Sequence, residues 1–414
     1  MTRVIHTGDT HVGYQQYHSP ERRADFRRAF DDVVDDAVEA GVDAVVHAGD
    51  LFHDRRPELP DLMGVLSALR RLDDADIPFL AIVGNHEATR TGEWLDLFEG
   101  TDLATRLGAS PVTIGDTAFY GLDWVPESRR PDLEYDFEEH DAEHAALVSH
   151  GLFTPFEFGE WDTETVLEES NVEFDAMLLG DNHKPDTAQV SGTWVTYCGS
   201  TERASASEEE ARGYNLVTFD GEVDIRRRSL DTRPFAFVSV ALAEGEGVER
   251  VREQVRQHDL TDAVCIVEIT GEGEPVTPAA VEEAGAEEGA LLVRVTDRRE
   301  IEEEAEIGVS FADPDDAVND RVDELGLSTA ARDIDETVRE SKVSDSNVRT
   351  EVKNRVSDLL GEEPAAFERA DDAGESESGD AESTSGGADK ADDEPADDEP
   401  TPDPAEQGTM EEYL

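Results

Sequence analysis

Apolar runs of strand length recur along the first 230 residues, and between them lie stretches whose apolar side chains return every three or four positions. Each run closes on a carboxylate, an amide or an imidazole: VIHTGDTH (4–11), VVHAGDLFH (45–53), LAIVGNHE (80–87), LVSHG (147–151) and MLLGDNH (177–183). Short apolar runs bounded by turn residues predict strands buried on both faces. Ser19-Pro20 caps and starts the first long helix, in which Phe26, Phe30, Val33, Val34, Ala37 and Val38 share a face. Strands alternating with helices predict a layered α/β sheet. Loops at strand C-termini are where such a sheet gathers ligands, so the five endings are placed to converge on one edge.

The pattern changes near residue 234. FAFVSVAL, GVERVREQVRQ, AVCIVEIT, PAAVEEAGAEEGA and LLVRVT read as strand, helix, strand, helix, strand, a small α+β domain over 231–300 after a larger domain over 1–230. Residues 301–327 read as a linker. Two short helical patterns occupy 328–361, the second with Val348, Val352 and Val356 at helical spacing. That element either packs on its own chain or docks a partner. The helix ELPDLMGVLSALRRL (58–72) carries Leu62, Met63, Leu66 and Leu69 on one stripe, which faces either the core or a second subunit. From 362 to 414 the acidic, Ser/Gly/Pro-rich sequence is too polar to build a core and is expected to be disordered.

Composition narrows the setting. Two cysteines, Cys198 and Cys265, are too few for a disulfide framework, and no run approaches the ~18 apolar residues of a membrane span. A cytoplasmic protein is expected. The formal net charge of −66 would ordinarily argue against a polyanionic partner. Acidic residues crowd the helices as well as the tail, however, and the only lysines are Lys184, Lys342, Lys353 and Lys390. That is the composition of a protein that works in molar salt, where the Debye length shrinks to ~3 Å and distant carboxylates hardly repel DNA.

The strand endings Asp-x-His, Gly-Asp, Gly-Asn-His-Glu, His-Gly and Gly-x-x-His together offer enough nitrogen and oxygen donors for two divalent ions. Hydrolysis of a phosphodiester needs an attacking hydroxide, neutralised phosphorus oxygens and a stabilised leaving oxygen, and two metals ~3.5–4 Å apart provide all three. A mixed His, Asp and Asn set without thiolate suits manganese or a comparable ion, with Asp50 the leading candidate for the bridge.

The motifs GDTHVGYQQY, GDLFHDRRP and YCGSTERASASEEEARGYNLV resemble those of the meiotic-recombination-eleven nucleases of archaea and eukaryotes, relatives of bacterial SbcD within the calcineurin-like metallophosphoesterases. The resemblance covers about residues 1–300. It implies a layered β-sandwich flanked by helices, followed by a small capping domain. It implies one Mn(2+) held by Asp9, His11, Asp50 and His183, and a second by Asp50, Asn85, His150 and Asp181. It also implies that His86 contacts the scissile phosphate and helps the leaving 3′-oxygen, while His53 supports the site and exonuclease action. The activities implied are 3′-to-5′ exonuclease on duplex ends and endonuclease on single strands or hairpins, in double-strand-break repair at the nucleoid. The partners implied are DNA ends, a second subunit, and the coiled coil of the Rad-fifty type ABC ATPase, docked on the 328–361 element through Val348, Val352 and Val356.

Two positions depart from the family pattern. Asp181 in GDNH stands where a metal-binding imidazole is usual, and Cys198 in YCGS where proline is usual. A carboxylate is a competent hard ligand, so metal binding is expected to survive with altered preference. At the C-terminus QGTMEEYL resembles the box that binds PCNA-type sliding clamps, with Gln407, Met410, Tyr413 and Leu414 in the key places. Two rival functions use the same fold: a small-substrate phosphatase, and a non-catalytic scaffold that binds DNA ends.

Overall fold

The computed structural model describes residues 1–88, 92–299 and 355–356. In chain order the first half consists of β1 (Thr2–Thr7), α1 (Pro20–Ala40), β2 (Ala44–His47), α2 (Leu59–Asp73), β3 (Phe79–Ala81), α3 (Trp94–Glu99), β4 (Thr105–Arg106), β5 (Val112–Ile114), β6 (Thr117–Leu122) and β7 (His144–His150). Then come α4 (Thr163–Glu169), β8 (Ala176–Gly180), β9 (Asp186–Val190), β10 (Thr193–Tyr197), β11 (Gly213–Asp220) and β12 (Glu222–Ser229). They form two six-stranded sheets, ordered β12-β11-β1-β2-β3-β4 and β5-β6-β7-β8-β10-β9. Within each sheet the strands that end in candidate ligands run parallel: β1, β2 and β3 in one, β7 and β8 in the other.

Both faces of these strands are apolar for a reason visible residue by residue. Val4, Val46 and Leu80 meet Phe119, Val148 and Leu178 between the two sheets. Their neighbours Ile5, Val45 and Phe79 turn the other way, against Phe30 and Val33 of α1 and Val65 and Leu69 of α2. Leu147 and Met177 likewise turn outward, to Trp161 and Val166. The period of two places alternate side chains on opposite faces, and full burial of each Val or Leu contributes ~1.5–3 kcal/mol.

Helix α1 starts where expected: Ser19 accepts a hydrogen bond from the Arg22 amide (3.2 Å), Pro20 follows, and Gly41 closes the helix at φ 57°. Its buried arc runs from Phe26 to Ala37. Val38, expected on that face, lies past its edge and is 42% exposed. The stripe of α2 also divides. Leu69 is buried and Leu62 and Leu66 pack against the core, but Met63 is 54% exposed, beside exposed Leu59 and Leu97.

The second unit contains β13 (Phe235–Leu242), α5 (Val248–Val255), β14 (Val264–Gly271), α6 (Pro278–Glu287) and β15 (Leu292–Asp297). The sequence pattern reads as α+β, but all three strands pair in parallel, Phe235 opposite Val264 and Val264 opposite Leu292. A helix between each pair of adjacent strands provides the crossover that parallel pairing requires. Arg233 ties this unit to α1 with two hydrogen bonds to Asp25 (2.6 and 3.0 Å). The Arg22 guanidinium lies 5.0 Å from the Phe235 ring centre, and that of Arg294 lies 5.4 Å from the Tyr17 ring centre. Cys198 and Cys265 are buried free thiols. Among the described residues no helix is long and apolar enough to cross a membrane.

Candidate metal centre

The five strand endings meet where the two sheets abut. Asp9 and His11 follow β1, Asp50 follows β2, Asn85 and His86 follow β3, His150 ends β7, and Asp181 and His183 follow β8. Four of these residues leave their strands in left-handed backbone, at φ 48° (Asp9), 42° (His11), 58° (Asp50) and 92° (Asp181). Such conformations cost energy in residues other than glycine and cluster where function dictates side-chain direction. The glycines of the motifs make room: a Cβ on Gly84 would overlap the Asp50 carboxylate, and one on Gly49 would press on His150 Nδ1.

The donor atoms converge closely. Nε2 of His11 and Nε2 of His183 face each other at 3.0 Å. Nε2 of His150 lies 3.1 Å from Asn85 Oδ1, 3.4 Å from Asp50 Oδ2 and 3.7 Å from Asp181 Oδ1. Asp50 Oδ2 also lies 3.9 Å from His11 Nε2, which sets it between the two histidine groups. Asp9, His11 and His183 form one compact set, and Asp9, Asp50 and His150 another, with each set's ligand atoms within 4.8 Å of one another. Asp9 therefore belongs to both, and its carboxylate accepts the Asp181 amide at 2.9 and 3.2 Å.

A second layer aims these groups. His150 donates Nδ1–H to the Ala48 carbonyl (2.7 Å) and His183 donates its own to Glu208 (2.8 Å). Each bond fixes the tautomer and turns Nε2 toward the centre. Glu87 accepts from the amides of Phe52 (3.2 Å) and Gly84 (3.3 Å), joining the loop that carries Asp50 to the loop that carries Asn85.

Three buried carboxylates with no lysine or arginine among them fit a dication pair. Buried charge needs a counter-charge, and two imidazole nitrogens 3.0 Å apart, bonded to each other only while one keeps a proton, are placed to exchange that proton for a cation. The protonation balance shows the same strain. Burial pushes Asp181 up to about 6 against the pull of His150. Burial would lower the His183 imidazole, but the Glu208 carboxylate outweighs it and lifts it to about 9. Burial likewise opposes Asp50 ionisation, yet His150 and His11 hold its carboxyl below the usual range.

His86 and His53 stand at the half-buried mouth. Their ring centres are 5.0 Å apart and lie 4.8 and 5.4 Å from that of His11. His86 donates Nδ1–H to the His53 carbonyl (2.9 Å), and the Asp50 carboxylate accepts its amide (3.0 Å). Tyr14 stacks on His53 with ring centres 3.9 Å apart.

Residues 2–185 match the family model described as calcineurin-like phosphoesterase. Relatives named DNA double-strand break repair protein Mre11 are 68% identical over 384 residues in Haloferax volcanii (91% of this chain, 87% of that protein) and 57% identical over 381 residues in Halobacterium salinarum (90% and 98%). One from Methanosarcina mazei is 42% identical over 370 residues (86% and 60%). The chain belongs to the Mre11 family. As a member of the Mre11 family it is a metal-dependent phosphoesterase, and the calcineurin-like fold implies a dimetal site for which these clustered side chains are the candidates.

The structure thus brings Asp9, His11, Asp50, Asn85, His150, Asp181 and His183 to one point, with His53 and His86 at its mouth. Val348, Val352, Gln407, Met410, Tyr413 and Leu414 lie outside the described residues; of the 328–361 element only 355–356, which include Val356, are described, and they are helical. Sequence reading missed Glu208 and Tyr14, and it counted Glu87 of Gly-Asn-His-Glu among the donors, whereas its carboxylate bonds the backbone amides of Phe52 and Gly84. Glu208 sits in the run Glu208–Glu210, where nothing local tells which carboxylate turns inward.

Proposed function

We propose that this chain is a manganese-dependent nuclease that trims DNA ends from 3′ to 5′ and opens single strands or hairpins during double-strand-break repair. The observation that carries the reading is the convergence of seven donor side chains from five strand ends, with two imidazoles at the mouth. When bound, two Mn(2+) ions would polarise the phosphate oxygens and make an attacking water acidic. Asp9, His11, Asp50 and His183 would hold one ion, and Asp50, Asn85, His150 and Asp181 the other.

The remaining work falls to the protein's own groups. His86 keeps Nδ1–H on the His53 carbonyl, so Nε2 is left for substrate; as the imidazolium it would donate the Nε2 proton to the leaving 3′-oxygen and revert to the neutral ring with Nδ1–H still bonded. His53, stacked on Tyr14, positions His86 through that carbonyl. Among the described residues the buried, carboxylate-rich floor carries no lysine or arginine, so bound ions would supply the positive charge that the scissile phosphate needs.

In this reading residues 1–230 are the nuclease domain and 231–300 the capping domain. The 328–361 element docks the Rad-fifty type ATPase, and the end of the 362–414 tail binds a sliding clamp. A second copy would cover the exposed Leu59, Met63 and Leu97, which border a groove of about 520 Å³ between α2 and α3. The test is digestion of end-labelled duplex and hairpin DNA with Mn(2+) in molar KCl, with and without the ATPase. A 3′-to-5′ product ladder is expected; hydrolysis of para-nitrophenyl phosphate without any DNA cleavage would identify a phosphatase instead.

A further inference from the structure

Next to the metal centre opens a recess of about 660 Å³ lined by His53, Asp54, Arg55, Arg56, Asn85 and His86. Its floor belongs to the site already described, but its two arginines have no part in that site. Both are exposed, and neither has a carboxylate within 4.0 Å among the described residues. Several other arginines contrast with them. Arg22, Arg23, Arg71 and Arg106 each hold two carboxylates, as a formal charge of −66 makes easy.

The backbone carrying the two arginines is nevertheless anchored. Phe52 bridges to Val12, the His53 carbonyl accepts from His86, and Trp94 Nε1–H donates to the Arg55 carbonyl (3.0 Å). The segment is held before and at Arg55 while both arginines are exposed. A fixed backbone lowers the ordering cost of binding, and an unpaired guanidinium has no ion pair to break first.

We propose that Arg55 and Arg56 form a phosphate subsite that seats the backbone phosphate next to the scissile one. The ligand chemistry is a phosphodiester oxygen pair, which the planar guanidinium fork matches with two parallel hydrogen bonds. Contact of this kind suits molar salt: a Debye length of ~3 Å erases long-range attraction but spares groups in direct contact. Asp54, the acidic residue of the lining, offsets one of the two guanidinium charges and leaves a single net positive charge, so the fork geometry contributes to selection beside the charge. Phosphate contacts position a strand without reading its bases. The subsite would therefore hold register for cleavage on any sequence, and a substrate with a single phosphodiester has nothing to place there.

This inference rests on the nuclease reading above, and one experiment separates the two. Wild type and the Arg55→Gln, Arg56→Gln double variant are compared, with Mn(2+) in molar KCl, on oligonucleotides of varied sequence and on bis(para-nitrophenyl) phosphate, which has one diester and no neighbour. The expected result is a KM for DNA raised ~10-fold or more, to a similar extent for every sequence, with a salt slope shallower by ~1–2. Hydrolysis of the small diester should move less than ~2-fold, on the same reasoning that it makes no phosphate contact to lose. A DNA KM unchanged in the variant, or an equal loss on both substrates, overturns the subsite while leaving the nuclease in place. Failure of the wild type to cut DNA while it hydrolyses the small diester overturns the nuclease reading itself.

Discussion

Replacing Glu208 with Gln would change how many protons leave when the protein takes up metal. Glu208 accepts the Nδ1–H of His183 at 2.8 Å, and its other oxygen accepts the Ala204 amide at 2.8 Å. In the metal-free protein burial opposes the His183 charge, but Glu208 prevails and lifts the imidazole from 6.5 to about 9. At 1.36 kcal/mol per tenfold, that rise is worth ~3.4 kcal/mol to the imidazolium. At about pH 7.5 His183 is therefore protonated, and a cation that uses Nε2 must displace a proton at a cost of ~2 kcal/mol, or ~30-fold in affinity. The sign follows: affinity rises ~10-fold per unit between about pH 7 and 9 and levels off above, where the proton is already gone. In Glu208→Gln the carboxylate charge disappears and burial is opposed only by Asp9 and Asp50, so the imidazole gives up its proton more readily at the same pH. Calorimetric titration with Mn(2+) in molar KCl, repeated in buffers of different ionisation enthalpy, counts the protons. The wild type should release one more proton than the variant. The variant should still bind ~10–100-fold more weakly above about pH 9, because the carboxylate no longer orients the ring. An equal proton count in the two proteins would refute the argument.

Three further outcomes are expected. His86→Ala should lose DNA cleavage by ~10²-fold or more while equilibrium dialysis still finds both ions, since in the proposed reading the imidazole serves the leaving oxygen and holds neither ion; near-normal cleavage, or a lost ion, would remove His86 from the proton-transfer role. Asp181→Ala should lose the second ion in a metal count, and Asp181→His should regain it with a stronger preference for zinc, imidazole being the softer donor; a full count in Asp181→Ala would make Asp181 a loop residue only. Arg22 is fully buried and meets Asp25 (2.8 Å), Gln16 (2.9 Å) and Glu202 (3.2 Å), so Arg22→Leu takes a cation from two carboxylates and leaves Glu202 without an arginine side chain among the described residues. Loss of one partner from a buried pair costs ~3–5 kcal/mol, and Arg233 still covers Asp25, so the lower end and a Tm fall of ~6–12 °C are expected in molar KCl; a fall under ~2 °C would show the network to be dispensable.

The candidate donors and the sandwich were legible in the sequence because both are local patterns. A strand buried on two faces must be apolar throughout, and the residues after it must turn sharply, so Val4–His11, Val45–Asp50 and Met177–His183 announce strand and donor together. Helix starts obey equally local rules, as Ser19-Pro20 did for α1. Relations between distant segments were not legible. That Glu208 rather than Glu209 or Glu210 aims His183, that Tyr14 stacks on His53, and that Arg233 reaches Asp25 across 208 positions are outcomes of packing. Periodicity gave the stripe of α2 but not its division into a buried side at Leu69 and an exposed one at Met63, which depends on which residues of α1 and the sheet pack against the helix. The parallel pairing of β13, β14 and β15 was hidden likewise, because a strand's sequence records that it is buried, while its direction is set by the crossovers that bring its neighbours alongside.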